Sequence, residues 1–435
     1  MNKSKKQKVY FKTFGCRTNV VDSQIMMSKL EDFDVTLDEF EADIVVINSC
    51  TVTNSADSTA RGYINSLKKS PKVANNGCEA NFPRKNPRVI FTGCGVWTKG
   101  ETLFKESKID ALFGASEKEN INTLLKNESR FFEAGDLNHI DNTIIENMIG
   151  KSRAFIKIQE GCDFRCSYCI IPFVRGNSRS YSEEKILEQI KLLASNGFGE
   201  FILTGTNLGS FGKGLDGKDG LALLLKKISQ IKGVRRIRLG SVEPIQITPE
   251  FKEILDEPWM AKHLHIALQH TTKEMLNLMN RRNKLRSDLE LFEFIASKGY
   301  ALGTDFIVGH PGESEVVWKE AMENIKKFPL THLHGFTYSK RDGTPSATMN
   351  GQVSGDIAKK RLAELTSIVD AKNYDFRASK GALDILIESE KNGKFFGYDQ
   401  YFNLIEVTSE ADLVGDWIQI TDYKVETSQN KAIFN

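Results

Sequence analysis

The sequence lacks any long hydrophobic run, which limits the classes of protein that it can encode. Its first eight residues are polar and basic, and no apolar segment follows them that could act as the core of a signal peptide. No stretch has the length and apolar character of a membrane span. We therefore expect a cytoplasmic protein with no membrane partner, whose 435 residues are enough for roughly two to four domains.

The sequence is also poor in cysteine and nearly neutral. Seven cysteines are an odd number, and cytosolic thiols stay reduced, so metal ligands or catalytic thiols are favoured over a disulfide framework. A formal net charge of +2 does not demand a nucleic-acid partner. The charge is uneven, however, because residues 61–94 carry seven basic and one acidic residue, whereas residues 376–435 carry six basic and ten acidic residues.

Three predicted strands near the amino terminus each end in a cysteine. They are "KVYFKTFGC", "DIVVINSC" and "RVIFTGC", which end at Cys16, Cys50 and Cys94. The segments between them have helical periodicity, and this spacing predicts βαβ units in an open parallel sheet. The carboxyl ends of parallel strands lie on one edge, so the three thiols should meet there. Any one of them alone would more simply be a small buried hydrophobe.

The rest of the chain predicts two further domains. Six apolar strands, from "AFIKIQEGC" to "HLHGFTYS", alternate with helical segments such as the one that Ser182 caps, and they predict a partial (β/α)6 barrel. Short alternating runs near the carboxyl end predict a small antiparallel β-barrel of roughly five strands. The predicted fold is therefore α/β, with an open parallel sheet over 1–130, the partial barrel over 148–375 and the small barrel over 376–435.

The stretch "EGCDFRCSYCIIP" places Cys162, Cys166 and Cys169 directly after the first barrel strand. Structural zinc needs four protein ligands, but the sequence has no histidine between His139 and His263. A 4Fe–4S cluster held by three thiolates instead keeps one iron with an open coordination site. The pattern therefore favours an iron–sulfur cluster over zinc.

"GCDFRCSYCIIP" resembles the signature of the radical S-adenosylmethionine (SAM) superfamily, in which the open iron binds SAM and its cleavage yields a 5′-deoxyadenosyl radical. The upstream segments "FGCRTN", "INSCTVTNSAD" and "TGCG" are similar to the amino-terminal domain of its methylthiotransferases. This resemblance implies that Cys16, Cys50 and Cys94 hold a second 4Fe–4S cluster, whose free iron carries the sulfur to be transferred. One SAM would methylate that sulfur, and a second would supply the radical.

Three branches of this family differ in substrate. Segments such as "CIIPFVRGNSRS", "IRLGSVEPIQIT" and "YSKRDGTPSA" look most like the branch that adds a methylthio group to C2 of N6-threonylcarbamoyladenosine at position 37 of tRNA. "VVDSQIM" has a feature of the branch that modifies an aspartate of a ribosomal protein, and the third branch acts on isopentenyladenosine in tRNA. A different class, a non-catalytic iron–sulfur or zinc RNA-binding protein, is the other hypothesis.

The resemblance also suggests individual contacts. The candidate SAM-binding residues are Tyr168, Gly205, Asn207, Ser241 and Glu243. The candidate RNA-binding residues, all in loops after barrel elements, are Arg175, Arg179, Arg281, Arg282, Lys340 and Arg341. The partners implied are tRNA and a reductant such as flavodoxin or ferredoxin, and the sulfur donor is unknown.

Two histidines, one cysteine and the terminal barrel are interpreted without a role in catalysis. His263 and His265 alternate with apolar residues and are interpreted as structural residues of the barrel. Cys78 lies in a segment rich in Asn and Pro and is interpreted as a loop cysteine. The terminal barrel resembles the TRAM-like RNA-binding domain of the family, but its acidic character leaves two roles open, binding RNA through its aromatic residues or capping the larger barrel.

Overall fold

A computed structural model of the protein describes residues 5–67, 86–212 and 220–434. Backbone contacts divide the chain into two compact units. The first comprises Met1–Glu146, Glu160–Asp163 and Cys169–Tyr181, and the second comprises Asn147–Gln159, Phe164–Tyr168 and Ser182–Asn435. The second unit holds both the barrel and the carboxy-terminal strands, so the three-domain division stays a prediction. Cys78 lies outside the described residues.

The first unit is built on a parallel sheet. Its strands are β1 (Lys8–Thr13), β2 (Asp34–Thr36), β3 (Ile44–Ser49), β4 (Arg88–Gly93), β5 (Ala111–Phe113) and β6 (Phe131–Glu133). They lie in the order β2-β1-β3-β4-β5-β6, and all neighbours are parallel. The sequence predicts only β1, β3 and β4, because the other three strands have three residues each and are too short to show a pattern.

The central position of β3 in this sheet explains why its sequence is apolar. Every residue of β3 is buried, with Ile44 and Val46 in the core on one face and Val45 and Ile47 in the core on the other. A parallel strand that is covered on both faces needs such a continuous apolar run. The helices of this part of the chain are α1 (Arg17–Ser28), α2 (Asn54–Leu67), α3 (Gly100–Lys105) and α4 (Ile121–Lys126).

The second unit contains the predicted partial barrel. Its strands are β7 (Ala154–Glu160), β9 (Glu200–Gly205), β10 (Arg236–Leu239), β11 (Ser241–Val242), β12 (His263–Ile266), β13 (Ala301–Val308) and β14 (His332–Thr337). Only Gly240 separates β10, which pairs with β9, from β11, which pairs with β12. With β10 and β11 counted as one strand, the six predicted strands are present, and consecutive strands are parallel neighbours within two sheets, β10-β9-β7 and β11-β12-β13-β14. Between β7 and β9 lie α5 (Ile171–Arg175) and the short strand β8 (Arg179–Ser180), both in the first unit.

Helices follow the barrel strands. They are α6 (Glu183–Ser195), α7 (Gly220–Ser229), α8 (Pro249–Glu253), α9 (Lys273–Leu278), α10 (Leu285–Ser297), α11 (Glu315–Lys327) and α12 (Gly355–Ala378). The side chain of Ser182 accepts a hydrogen bond from the backbone N–H of Lys185, so the N-cap predicted for α6 is confirmed. Among the helices that the structure describes, none combines the length and the apolar character needed to cross a bilayer.

The carboxy-terminal strands form a curled sheet. They are β15 (Leu383–Lys391), β16 (Lys394–Tyr398), β17 (Leu404–Thr408), β18 (Trp417–Ile420), β19 (Lys424–Val425) and β20 (Asn430–Ile433), in the order β18-β15-β16-β17-β20-β19. All neighbours are antiparallel except β17 and β20. Asn392 and Gly393 both have positive φ angles, +54° and +74°, which the predicted tight hairpin turn between β15 and β16 requires.

Candidate active site

Three cysteines follow neighbouring strands of the first unit. Cys16 directly precedes α1, Cys50 follows β3, and Cys94 follows β4. Because β3 lies between β1 and β4 and all three are parallel, the strands end at the same edge of the sheet. The prediction that these strand ends are neighbours is confirmed.

Gly15 lets the loop of Cys16 approach Cys50 closely. Its φ angle is +92°, and a Cβ atom at this position would lie 2.3 Å from Cβ and 2.7 Å from Sγ of Cys50. Any side chain here would displace Cys50. Cys50 and Cys94 are buried, whereas Cys16 is exposed, so this edge of the sheet is accessible on the side of Cys16.

Asparagine side chains hold the cysteine loops in place. Nδ2 of Asn19 donates to the carbonyl oxygens of Phe14 at 2.8 Å and Ser49 at 3.0 Å. Nδ2 of Asn48 donates to the carbonyl oxygen of Asn19 at 2.8 Å and to Oγ of Ser23 at 3.0 Å. These bonds cross between the loops after β1 and β3, and they fix the backbone beside Cys16 and Cys50.

Arg175, the last residue of α5, brings a buried cation to the same edge. Its Nε donates to Sγ of Cys94 at 3.1 Å. Its Nη1 donates to Oδ2 of Asp22 at 2.9 Å and also to Oε1 of Glu160, and its Nη2 donates to Oδ1 of Asn19. Burial disfavours the charge on Arg175, but Cys94, Asp22 and Glu160 outweigh burial and raise its pKa. The guanidinium therefore stays charged beside Cys94.

The thiols at this edge need positive charge to ionise. Burial raises the pKa of Cys50 to about 12, and the nearby Cys94 and Cys16 add to the rise. Burial also raises the pKa of Cys94, although Arg175 opposes it. Metal ions supply such charge and keep coordinating thiols deprotonated. Three sulfurs at one sheet edge, with a charged guanidinium beside them, fit a 4Fe–4S cluster that has three protein ligands.

The compact cysteine triplet lies in the loop between β7 and α5. Cys162, Cys166 and Cys169 are all partly exposed. The backbone N–H of Cys162 donates to the carbonyl oxygen of Gly176 at 3.0 Å, so the start of this loop is fixed to the segment after α5. Nη1 of Arg281 lies 3.8 Å from Sγ of Cys166. The close spacing of the three cysteines in the sequence is what predicts a second cluster of the same kind, with three protein ligands.

Two of the candidate SAM-binding residues lie at the ends of the first two barrel strands. Gly205 ends β9 and pairs with Gln159 of β7, and the backbone N–H of Asn207 donates to Oε1 of Gln159 at 2.7 Å. Tyr168 lies in the triplet loop and packs edge-on against His310, with ring centroids 6.3 Å apart. The roles of all three stay predictions.

The other two candidates follow the third barrel strand. Oγ of Ser241 donates to Oδ2 of Asp305 at 3.3 Å. Glu243 accepts hydrogen bonds from both Nη atoms of Arg281, at 2.8 Å for Nη1. Burial raises the pKa of Glu243 although Arg281 opposes it. Arg281 thus connects Glu243 with Cys166, two residues that the sequence analysis places in the same site.

Comparisons with known proteins fit this geometry. Residues 8–114 match the Uncharacterized protein family UPF0004, and residues 156–325 match the Radical SAM superfamily. A protein of Helicobacter pylori (strain J99) with the name "Putative methylthiotransferase" is 50% identical over 98% of this chain and 100% of its own. The Threonylcarbamoyladenosine tRNA methylthiotransferase MtaB of Bacillus subtilis is 30% identical over 98% of this chain and 96% of its own. The chain belongs to the radical SAM methylthiotransferase family.

Two further proteins are similar to this methylthiotransferase, one in sequence and one in fold. A tRNA-2-methylthio-N(6)-dimethylallyladenosine synthase of Clostridium botulinum is also 30% identical, over 96% of this chain and 95% of its own. The solved radical S-adenosylmethionine methyltransferase TsrM of Kitasatospora setae has a TM-score of 0.56 over 79% of this chain and 77% of its own, at 13% identity. That likeness concerns the fold alone. Radical SAM proteins use a 4Fe–4S cluster and SAM, and the methylthiotransferase shares these cofactors.

Several of the predicted RNA contacts of the methylthiotransferase are buried. Arg175 and Arg341 are buried, and the side chain of Arg281 is only 3% exposed. Their side chains are enclosed by protein, which disfavours direct contact with RNA, and their role stays a prediction. Nη1 of Arg179 donates to two backbone carbonyl oxygens at 2.9 Å. Only Arg282 and Lys340 are exposed among the six candidates.

A hydrogen-bonded chain that supports the triplet loop was not predicted. Nε2 of His310 lies 2.7 Å from Oγ of Ser346, and that hydroxyl donates to Oγ of Ser167 at 2.8 Å. The backbone N–H of Ser346 also donates to the carbonyl oxygen of Ser167 at 2.8 Å. Ser167 lies between Cys166 and Tyr168. His310 and Ser346 lie in the segments "GHPGE" and "GTPSA", which follow the last two barrel strands. Their position after strands was the feature of the sequence that could have predicted this chain.

Proposed function

We propose that this methylthiotransferase adds a methylthio group to C2 of N6-threonylcarbamoyladenosine at position 37 of tRNA. Two 4Fe–4S clusters would serve the reaction, one held by the triplet and one by Cys16, Cys50 and Cys94. The observation that carries the proposal is the placement of the second set of cysteines at one edge of a parallel sheet. A second cluster with an open iron would give the transferred sulfur a place to bind, since the open iron of the triplet cluster would bind SAM.

The sequence segments support the choice of substrate. Identity to relatives that are named for two different tRNA nucleosides is 30% in both cases, so overall similarity does not separate them. The segments "CIIPFVRGNSRS", "ILTGTNLGSFG" and "YSKRDGTPSA" follow barrel strands, where ligand-contacting residues of such folds lie. Their resemblance to the threonylcarbamoyladenosine branch favours that nucleoside.

The residues of the chain would divide the chemistry between them. When bound, the cluster of the triplet supplies the electron that cleaves SAM, and a reductant such as flavodoxin or ferredoxin would replace that electron. Tyr168, Gly205, Asn207 and Ser241 would position SAM from the strand ends. The carboxylate of Glu243, which Arg281 holds in place, would bind a hydroxyl or ammonium group of SAM.

The experiment is mass spectrometry of tRNA nucleosides from a strain that lacks the gene. We expect loss of 2-methylthio-N6-threonylcarbamoyladenosine and accumulation of the unmodified nucleoside, with recovery when the gene is restored. A Cys50→Ser copy should not restore it. If the modified nucleoside persists while the methylthio form of isopentenyladenosine or of the ribosomal-protein aspartate disappears, the substrate assignment is wrong.

A further inference from the structure

Two histidines and an aspartate lie side by side on three consecutive barrel strands of the second unit. They are His265 on β12, Asp305 on β13 and His334 on β14. Asp305 is directly opposite His334, and His265 is opposite Gly303, two residues before Asp305. Because side chains alternate along a strand with a period of two, all three point to the same face of the sheet.

The distances between their donor atoms suit a single metal ion. Nε2 of His265 lies 3.1 Å and Nδ1 of His334 lies 3.5 Å from the same atom, Oδ1 of Asp305. The three donor atoms all lie within 4.8 Å of one another. Nitrogen and oxygen ligands about 2.1 Å from one ion are roughly 3.0–3.4 Å apart in tetrahedral or octahedral geometry. The observed separations need only small side-chain adjustments to reach these values.

Nε2 of His265 is enclosed by protein and faces the carboxylate of Asp305. The residue is 7% exposed, and its Nε2 lies 3.1 Å from Oδ1 of Asp305 without an aligned hydrogen bond to any described residue. Buried polar atoms are normally satisfied, and an imidazole nitrogen beside a carboxylate oxygen can share a metal ion with it in place of a proton.

Gly303 provides the space for this imidazole ring. A Cβ atom at Gly303 would lie 2.7 Å from Nδ1 of His265 and 3.3 Å from Cβ of His332. The middle of a strand does not favour glycine, because it has no side chain to pack. Its presence opposite His265 indicates that the position of the ring is a requirement of this site.

The three side chains are also accessible to an ion, and the carboxylate of Asp305 is held in orientation. The side chain of His334 is 60% exposed and that of Asp305 20% exposed, so an ion can reach them and keep coordination positions for oxygen ligands such as water. Ser241 donates to Oδ2, the other carboxylate oxygen of Asp305, at 3.3 Å. A hydrogen bond of this kind orients a ligating carboxylate.

We propose that His265, Asp305 and His334 form a site for one divalent transition-metal ion, such as Mn²⁺, Fe²⁺ or Zn²⁺, distinct from the six cysteines. Two imidazoles and one carboxylate with open positions form the ligand set that such ions favour. The inference does not depend on which nucleoside the enzyme modifies.

The test uses the full chain with its clusters reconstituted under anaerobic conditions and Mn²⁺ as the added metal. Mn²⁺ prefers oxygen ligands to thiolates, so it should leave the cysteine sites alone. Electron paramagnetic resonance should show one bound Mn²⁺ per chain, with pulsed spectra that contain couplings to imidazole nitrogen. Asp305→Asn and His334→Ala should each weaken binding at least tenfold, with iron content unchanged.

The matched control is His139→Ala. His139 is a partly exposed histidine in the first unit, and its Nε2 lies 2.7 Å from Oε2 of Glu119, so it is a histidine–carboxylate pair without a second histidine. This variant should bind Mn²⁺ as the unmodified protein does. The proposal is overturned if the unmodified protein binds no Mn²⁺, or if Asp305→Asn and His334→Ala bind it equally well. It is also overturned if His334→Ala weakens binding of an anticodon stem-loop RNA in metal-free buffer while no Mn²⁺ site is found, because the three side chains would then contact the substrate directly.

Discussion

Arg175 places a permanent positive charge in the interior of the first unit. A buried charge is tolerated only when it is paired and hydrogen-bonded, and Asp22, Glu160 and Asn19 satisfy two of the three guanidinium nitrogens. The third nitrogen, Nε, is directed at Sγ of Cys94. Hydrogen bonds and positive charge at a ligating sulfur stabilise the reduced state of an iron–sulfur cluster.

Replacing Arg175 should therefore lower the reduction potential of the cluster proposed at Cys16, Cys50 and Cys94. For Arg175→Gln we expect a shift of about 60 mV, because a charge-assisted hydrogen bond contributes about 1.5 kcal/mol and a one-electron couple moves about 59 mV for each tenfold change. Arg175→Lys keeps the charge but cannot make all four hydrogen bonds, so it should give a smaller shift. A redox titration followed by electron paramagnetic resonance would measure both.

This titration needs a background in which the triplet cysteines are replaced by alanine, so that one cluster is observed alone. Lys105→Gln is the control, since Lys105 pairs with the exposed carboxylate of Glu101 and should leave the potential unchanged. Because Arg175→Gln removes one ionic partner from each of the buried carboxylates of Asp22 and Glu160, its thermal stability must be measured alongside. Equal potentials in a folded Arg175→Lys protein and its parent would contradict the electrostatic role.

A second residue-scale prediction concerns Cys50. With two clusters the chain should carry about eight irons, and Cys50→Ser should retain about four. Because the triplet is untouched, reduction with dithionite should still convert SAM to 5′-deoxyadenosine, while the methylthio product is lost. Cys166→Ser should abolish the cleavage of SAM. Cys78→Ser should change neither the iron content nor the cleavage of SAM. Iron analysis and chromatography of the reaction products decide the outcome, and a full loss of SAM cleavage in Cys50→Ser would argue against separate roles.

At the scale of elements, buried arginines connect the barrel with the carboxy-terminal sheet. Arg236 and Arg238 of β10 bind the two carboxylate oxygens of Glu200 on β9. Nη1 of Arg236 donates to the backbone carbonyl oxygen of Asp384 at 2.8 Å, and Nη2 of Arg238 donates to that of Asp399 at 3.0 Å. The sheet is thereby tied to the start of the barrel strands through charged groups that are not free to bind phosphate.

The aromatic residues of this sheet take part in the same contact. The rings of Tyr398 and Phe402 stack at 4.7 Å. The guanidinium of Arg153 lies 4.8 Å from the ring centroid of Tyr398, and Phe402 packs against His263. Of the two roles considered for the terminal barrel, this packing favours a cap for the larger barrel over RNA binding through these two side chains.

Glu200 should make the folding stability of the protein depend on pH, through its ion pairs at the contact between the barrel and the carboxy-terminal sheet. Burial opposes its ionisation, but Arg238, Arg236 and Arg153 outweigh burial and lower the pKa of Glu200 from 4.5 to about 2. A carboxylate whose pKa is lower in the folded state contributes stability above its unfolded pKa, and this contribution is lost as the pH falls from about 4.5 toward 2. Glutamine resembles the protonated acid, so Glu200→Gln should cost about 3 kcal/mol at neutral pH.

Urea unfolding followed by tryptophan fluorescence would measure this loss, because the guanidinium of Arg236 lies 4.5 Å from the ring of Trp417. The difference between Glu200→Gln and its parent should shrink as the pH is lowered below about 4.5. Glu253→Gln, which changes an exposed carboxylate, should have no effect. A difference that stays constant with pH would show that packing, rather than charge, explains the loss.

At the scale of the whole molecule, the sequence predicts what depends on periodicity and spacing. Strands with continuous apolar runs, their parallel order and the strand-end position of the cysteines all follow from local pattern. Burial of charge does not, because partners such as Asp22 and Glu160 of Arg175 are distant in sequence and become neighbours only in the fold. For the same reason, the grouping of His265, Asp305 and His334 on three strands has no signature in any one segment.

The proposed binding of tRNA depends on exposed cations, and Arg282 and Lys340 are the exposed residues among the six predicted RNA contacts. Because each phosphate contact releases counterions, replacing both residues with glutamine should weaken binding of an anticodon stem-loop and reduce the slope of log affinity against log salt by roughly 0.7–0.9 per lost contact. Fluorescence anisotropy at several salt concentrations would measure both. Arg286→Gln, which changes an exposed arginine paired with Glu290, should leave the slope unchanged. An unchanged slope in the double variant would move the phosphate-binding surface away from these loops.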